Sequence, residues 1–275
     1  MKNINGIATK KKSRKGSTKI ATSFCDDKTI ERVEEKYLIT REQKEALLER
    51  LSENLKRDDY YKEEVLSIYF DTKDSDLAIN SIERPEFREK FRARVYKMAS
   101  GQSPVFLEVK SKMAVKKIKI GNKRRLVLTE REFEKFLKGE ELTKLAERTQ
   151  SSTFQQRQIA RELEYLMSYY KLGPKVMIIA DRVAFKGKEN PAFRLTFDEN
   201  LRFREKDLNF KKGAKGEKYF LATENPQKCI IMEVKTMNAM PQWFISELSQ
   251  LKIYPSRFSK YGKIYQLINE RKKKK

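Results

Sequence analysis

The residues of this sequence best suited to chemistry stand in alternating rows. Over 88–96, Arg88, Lys90, Arg92, Arg94 and Tyr96 share one face of an extended chain, and Phe91, Ala93 and Val95 share the other. The alternation returns where Glu108 and Lys110 interleave with Leu107 and Val109. It returns again where Arg194, Thr196 and Asp198 interleave with Phe193, Leu195 and Phe197, and where Glu233 and Lys235 stand beside Met232 and Val234. Arg32, Glu34 and Lys36 repeat it less cleanly. Cations at strand spacing can collect phosphate oxygens. On an open, solvated face they need no ligand, because side chains about 6.6 to 7 Å apart in water repel by well under about 1 kcal/mol. Turned inward, at an effective dielectric near about 20, the repulsion rises to roughly 2 to 3 kcal/mol per neighbouring pair. An enclosed row then calls for an anion.

The totals narrow the chemistry further. A chain of 275 residues can bury one sizeable core, and its net charge is +23. Residues 1–28 hold +6 of that charge and 271–275 hold +5, so the body, 29–270, is itself basic at +12. Such a balance implies a polyanionic partner: nucleic acid, an anionic membrane surface or a phosphate polymer. There is no histidine, which removes imidazole bases and His-ligated metals and leaves carboxylates, lysines and hard, oxygen-bound cations. Cys25 and Cys229 are the only cysteines and support neither a disulfide framework nor a thiolate metal site. No apolar run approaches the roughly 20 residues that span a bilayer, and the N-terminus lacks a secretory segment, so a cytoplasmic protein is expected.

The elements that must position these rows can be read in outline. Residues 1–28 read as a disordered basic tail, 29–270 as one domain and 271–275 as a second basic tail. Strands are predicted near 31–39, 65–71, 88–97, 104–110, 123–128, 175–185, 192–199 and 229–235. Thr40 with Gln43 and Thr129 with Glu132 form capping boxes. The first opens a helix carrying Leu47, Leu48, Leu51 and Leu55 to about Arg57; the second opens a short helix with Phe133, Phe136 and Leu137. Further helices are predicted from about Thr153 to Leu172, after Pro241, and from about Ser256 to Glu270. The helices need an apolar surface, so the aliphatic strand faces point outward to them and the charged faces line the interior. The expected fold class is α+β: a closed eight-stranded antiparallel β-barrel, a tunnel with a charged lumen flanked by amphipathic helices.

The order of the motifs resembles a family. Glu34-Glu35-Lys36-Tyr37, Tyr69-Phe70-Asp71-Thr72, Phe91-Arg92-Ala93-Arg94 and Leu107-Glu108-Val109-Lys110 come first. Asp181-Arg182-Val183-Ala184-Phe185, Arg194-Leu195-Thr196-Phe197-Asp198, Met232-Glu233-Val234-Lys235 and Phe258-Ser259-Lys260-Tyr261 follow. Over roughly 30–268 the chain resembles the VTC (vacuolar transporter chaperone) polyphosphate polymerase domain of the triphosphate tunnel metalloenzyme superfamily. The resemblance implies metal-dependent transfer of the terminal phosphate of ATP onto a growing polyphosphate chain inside a basic tunnel. It implies that Lys36, Arg92, Arg94, Arg182, Arg194, Lys235 and Lys260 act on the reacting phosphates. Arg32, Lys110, Lys123 and Arg125 would add phosphate-binding charge, and Glu233, then Glu108, would hold Mn²⁺ or Mg²⁺. Each carboxylate has a plainer role as a neutraliser of neighbouring cations. Asp71 and Asp198 read as strand-end acceptors that order loops, and Tyr261 and Trp243 as packing.

The chain departs from that pattern in two places. Hydrolytic members of the superfamily begin with Glu-x-Glu-x-Lys, whereas the matching positions here are Arg32, Glu34 and Lys36, which favours the polymerase branch. Ala180 stands where an aromatic commonly precedes the arginine of the Arg182 motif. The partners implied are ATP and inorganic polyphosphate, without specific nucleic-acid recognition; the basic tails would attract polyanions or anionic surfaces unspecifically. No inositol-phosphate-sensing domain or membrane helices accompany the domain in these residues, so transport across a membrane is not expected. A triphosphatase of the same fold and a non-catalytic polyphosphate or nucleic-acid binding module are the competing functions. Carboxylates among the basic rows weigh against a pure binder.

Overall fold

Both capping boxes form. Thr40 accepts from Gln43 N (3.1 Å) while the Gln43 side chain accepts from Thr40 N (3.0 Å), and Thr129 and Glu132 do the same at 3.2 and 2.7 Å. They begin α1 (Arg41–Arg50) and α3 (Glu130–Leu137) in a computed structural model that describes residues 32–96, 104–115, 118–148, 153–219, 229–237 and 239–274. The expected N-terminal tail, with Cys25, lies outside the described residues. The first helix is shorter than its leucines suggest. The N–H groups of Asn54 and Leu55 both return to Leu51 O, so one helix-like turn keeps the leucine spacing while the chain leaves the helix, and Leu55 opens a strand.

That strand, β2 (Leu55–Asp71), follows β1 (Arg32–Ile39) and precedes α2 (Asp76–Glu83), β3 (Phe87–Tyr96), β4 (Pro104–Val115) and β5 (Ile118–Thr129). After α3 come α4 (Leu142–Arg148), α5 (Phe154–Tyr169), β6 (Gly173–Gly187), β7 (Arg194–Arg204) and the short β8 (Glu217–Lys218). The chain continues through β9 (Ile230–Met237), α6 (Gln242–Gln250) and α7 (Lys260–Lys273). The last helix runs into the expected basic tail, where Arg271 pairs with Glu217. No helix among the described residues is long and apolar enough to cross a membrane.

The strands form one antiparallel sheet in the order β1-β9-β7-β6-β2-β3-β4-β5, with β8 beside β7. The expected closed barrel is incorrect: β1 and β5 end the path and do not pair with each other. Both edges are covered by something else, which removes the drive to join them. On β5, Gln156 of α5 accepts from Val127 N (3.2 Å) and donates to Arg125 O (3.3 Å). On β1, Lys36 O accepts from Ser256 N (2.6 Å), and Tyr37 forms a bridge with Pro255. The open sheet nevertheless curls until side chains of β1 reach those of β4, where Lys110 Nζ lies 2.9 Å from Glu34 Oε2.

The curl is set by where the apolar residues go. Phe91, Ala93, Val95, Leu107, Val109, Leu126 and Leu128 are buried on the convex side in one core with Phe133, Leu145, Ile159 and Leu163 of α3, α4 and α5. A second core joins Phe193, Leu195, Phe197, Met232 and Val234 to Leu47 of α1 and to Phe244 and Leu248 of α6. Helices therefore cover the aliphatic faces, and the charged positions between them face inward. A third cluster, with Tyr69, Ile178, Ile231, Phe258, Tyr261 and Ile264, packs α2 and α7 over one end of the concave side. Asp71, fully buried, fixes that end by accepting from Leu77 N and Ala78 N (both 2.9 Å) and from Tyr261 Oη (2.5 Å).

Candidate functional site

Cross-strand register brings the charged rows together. On β3, β4 and β5 it sets Arg92 opposite Glu108 and Glu108 opposite Arg125, with Lys90, Lys110 and Lys123 in the next row. Glu108 is 1 % exposed. Its carboxylate accepts from Arg92 Nε (2.9 Å) and Arg125 Nε (2.7 Å), with Lys123 Nζ 2.6 Å away. Burial opposes its charge, but Arg92, the hydrogen bond from Lys123 and the nearby Arg94 outweigh it and hold the carboxyl down at about 2. With both oxygens engaged, Glu108 braces three cations, Arg92, Lys123 and Arg125.

Across the concave face, β6 and β7 place Arg182 opposite Asp198. The guanidinium donates twice, at 2.6 and 2.8 Å, and Lys260 of α7 reaches the same carboxylate. Asp198, read from sequence as a loop-ordering acceptor, is instead the buried counter-ion that joins β6, β7 and α7. Asp71 does order its loop as expected. Arg194 stands at the rim, half exposed, 2.8 Å from Asp58. Asp58 reaches it from a bulge where the pairing of β2 with β6 skips from Arg57 to Lys62.

The register of β1 with β9 sets Glu34 opposite Lys235 and Lys36 opposite Glu233. The carboxyl groups of Glu34 and Glu233 are in hydrogen-bonding contact, and Lys235 Nζ is 3.7 Å from Glu233 Oε2. Burial disfavours the Glu233 charge, yet the contact with Glu34 and the charges of Lys235, Lys36 and Arg182 hold the group well below the usual carboxylate range. A hard divalent cation bridging phosphates takes one or two protein carboxylates and fills its remaining positions with phosphate and water oxygens. The Glu34–Glu233 pair fits that demand. Among the described residues no three acidic or cysteine side chains gather into a complete protein cage.

Arg94 and Lys90 are both deep in this site and in no ion pair among the described residues. Arg94 donates to Ser67 Oγ (3.1 Å) and makes a long contact with Tyr96 Oη (3.5 Å), without an ion pair among the described residues. Burial first, then the repulsion of Arg92 and Arg182, hold its pKa below the usual guanidinium value. Lys90 donates to Ser259 Oγ (2.9 Å), and burial with the repulsion of Lys36, Lys112 and Lys110 pulls it to about 8 despite the attraction of Tyr69. Tyr69, stacked on Tyr261 at 4.6 Å, is pulled down to about 8 by Arg92, Arg94 and Lys90 against its burial.

A pH dependence follows from these two groups. Affinity for a polyanion on this face should fall as pH rises through about 8, because Lys90 loses its charge and Tyr69 gains one. Stability of the ligand-free protein should move the other way. Both pKa values are lowered in the fold, so from about 8 up to their ordinary values near about 10 the unfolded chain holds more protons and stability rises with pH. Titrations of binding and of urea unfolding across pH 7 to about 10 check the pair of opposite slopes; parallel slopes would refute it.

Of the residues picked out by sequence, Lys36, Arg92, Arg94, Lys110, Lys123, Arg125, Arg182, Lys235, Lys260, Glu108 and Glu233 meet on this concave face. The Arg32 side chain lies outside the described residues. Lys90 and Tyr69 were missed, although Lys90 stands in the same alternating row as Arg92 and Tyr69 opens a quoted motif. Asp58 had no signal, being read as following a helix.

The sequence matches no curated protein. Among solved structures, the chain is similar to the PH1819 protein of Pyrococcus horikoshii OT3, with 11 % identity, a TM-score of 0.41, and coverage of 86 % of this chain and 99 % of that one. It is also similar to a structure described as a putative adenylate cyclase from Vibrio parahaemolyticus, with 10 % identity, a TM-score of 0.40, and coverage of 83 % and 94 %. The model of the VTC domain matches residues 31–269, from the first strand to the last helix, and the chain belongs to the VTC domain family.

Proposed function

We propose that this chain is a polyphosphate polymerase that transfers the terminal phosphate of ATP to a growing inorganic polyphosphate chain. The observation that carries the reading is Arg94, a guanidinium deep in the concave face, repelled by Arg92 and Arg182 and in no ion pair among the described residues. An anion with several charged oxygens is the ligand that such a surplus fits. Family membership supports condensed phosphate as that anion.

Phosphoryl transfer asks for alignment and charge neutralisation more than for a protein nucleophile. The bond from the γ-phosphorus to the oxygen it shares with ADP breaks as a bond forms to a terminal oxygen of the polymer. That oxygen is already anionic, so a chain without histidine loses little. Arg92, Arg94 and Arg182 grip equatorial oxygens, with Lys36, Lys235 and Lys260 sharing the charge. Lys110, Lys123 and Arg125 hold the neighbouring phosphates, with Arg32 as a further cation of the same motif set, and Arg194 serves at the rim. Glu233, with Glu34, would hold Mn²⁺ or Mg²⁺, whose chemistry when bound would be to neutralise the negative charge of the phosphates. Glu108 keeps Arg92, Lys123 and Arg125 in place.

Purified protein incubated with ATP and Mn²⁺, resolved on a gel that separates polyphosphate from nucleotides, tests the reading. Chain growth with ADP release supports it; orthophosphate without chain growth indicates a triphosphatase, and tight binding without turnover a binding module. Glu233→Gln should lower metal-dependent synthesis about 100-fold or more, the scale of losing one preorganised charge-stabilising group, while polyphosphate still binds. Unchanged synthesis would remove Glu233 from the site.

A further inference from the structure

The charged row of β3 does not stop at the residues that the proposed reaction uses. Beyond Arg94, Arg92 and Lys90 it continues outward to Arg88, and Arg88 stands close enough to Arg84 for their charges to repel. Arg84, with Arg257, Ser259, Lys263 and Gln266, lines a cavity of about 400 Å³ between the end of α2 and the start of α7. Glu83 also lines it, yet among the described residues none of Arg84, Arg88, Arg257 and Lys263 is in an ion pair. Burial and the neighbouring Arg257 and Arg88 hold the Arg84 guanidinium below its usual pKa.

The cavity adjoins the concave face through one side chain. Ser259 caps α7 by accepting from Gly262 N (3.2 Å), lines the cavity, and accepts from Lys90 Nζ of the inner row (2.9 Å). α7 therefore sends Lys260 to Asp198 on the inner side and Lys263 to the cavity one turn later. The floor is set by a close approach of the two helices. A Cβ on Gly262 would lie 2.9 Å from Ile82 Cγ1, which leaves glycine as the residue that lets α7 rest on α2.

We infer that the cavity between α2 and α7 is a second binding site for condensed phosphate, in which Arg84, Arg257 and Lys263 hold a stretch of chain that extends beyond the inner face. The inference rests on the polyphosphate reading for its natural ligand. The same oxygens are carried by ATP and by a polymer, and the two differ in reach: a triphosphate fills one site, and only a long chain occupies both, gaining the effective concentration of a tethered ligand.

The test is binding of long-chain polyphosphate, tripolyphosphate and ATP to the full chain and to a variant carrying Arg84→Asn and Arg257→Gln. Asn tolerates the left-handed backbone of Arg84 (φ 58°), and both side chains are exposed, so the variant keeps the fold. Long-chain affinity should fall at least about tenfold at moderate salt, with the affinities for tripolyphosphate and ATP unchanged. Equal losses for short and long ligands, or no loss, overturn the inference. Because binding needs no turnover, a length-selective loss in a protein that makes no polymer would keep this site and discard the polymerase reading. Chain growth with no such loss would do the reverse.

Discussion

Arg94→Met should give a protein that is at least as stable as the parent and, on the polymerase reading, makes polyphosphate at about 1 % of its rate or less. The stability follows from what the guanidinium has around it: Ser67 and Tyr96 on one side, the repulsion of Arg92 and Arg182 on the other, and no ion pair among the described residues. Replacing a desolvated, unpaired charge by an apolar side chain of similar length removes a cost and leaves the row otherwise intact. The loss of activity follows from the same surroundings, since on the polymerase reading a guanidinium held in no ion pair has its charge available for the transferring phosphate. Removal of one preorganised donor of this type costs about 3 kcal/mol of transition-state stabilisation, which is roughly 100-fold in rate. Urea unfolding and the gel assay, run on the same preparation, check both halves. A variant that is destabilised and still active would show that Arg94 is structural.

Asp198→Asn should do the opposite, lowering stability by about 3 to 5 kcal/mol, the scale of breaking a buried ion pair from one side. Asp198 is 1 % exposed and carries both Arg182 and Lys260, so the amide would leave two buried cations against a group that cannot neutralise either. β6, β7 and α7 all loosen together in consequence. Arg182→Met in the Asp198→Asn background should recover part of the loss, which a double-mutant cycle by urea unfolding measures. Losses that simply add would show that the two residues do not act as a pair. Acid should act in the same direction. The Asp198 carboxyl, opposed by burial but stabilised by Arg182 and Lys260, and the Glu108 carboxyl, at about 2, are both lowered in the fold. The unfolded chain therefore binds more protons at acid pH. The stabilisation is whole above the ordinary carboxylate range and drains away as pH falls below it, that of Glu108 through about 2.

The legible parts of the fold were those that side-chain alternation records. Phe91-Ala93-Val95 against Arg92-Arg94 gives both the strand and its two faces, and the need of the helices for an apolar surface turns the charged face inward. The early half of β2 was hidden because Leu47, Leu51 and Leu55 keep helical spacing across a turn that leaves the helix. The open edges were hidden for a different reason. Gln156 satisfies the edge of β5, and the backbone around Pro255 and Ser256 satisfies that of β1, through single hydrogen bonds that leave no periodic trace. In the site, the cations could be named one by one from their row. The partners of Glu108, Asp198 and Asp58 depend on which strands lie side by side and on a bulge in β2, and the sequence of one strand does not contain its neighbour's register.

The contact of Glu34 with Lys110 has a mechanical meaning. Elsewhere around the curl, adjacent strands are stitched by ladders of main-chain bonds, whereas this line is crossed by a carboxylate and an ammonium group that are both partly exposed, a pair worth about 1 kcal/mol or less. A ring sewn shut all the way round would oblige a long polymer to thread end-first. On the proposed polymerase reading, a wall with one lightly fastened line would let a grown chain leave sideways, and high salt should ease its departure by loosening that fastening as well as its grip on the arginines.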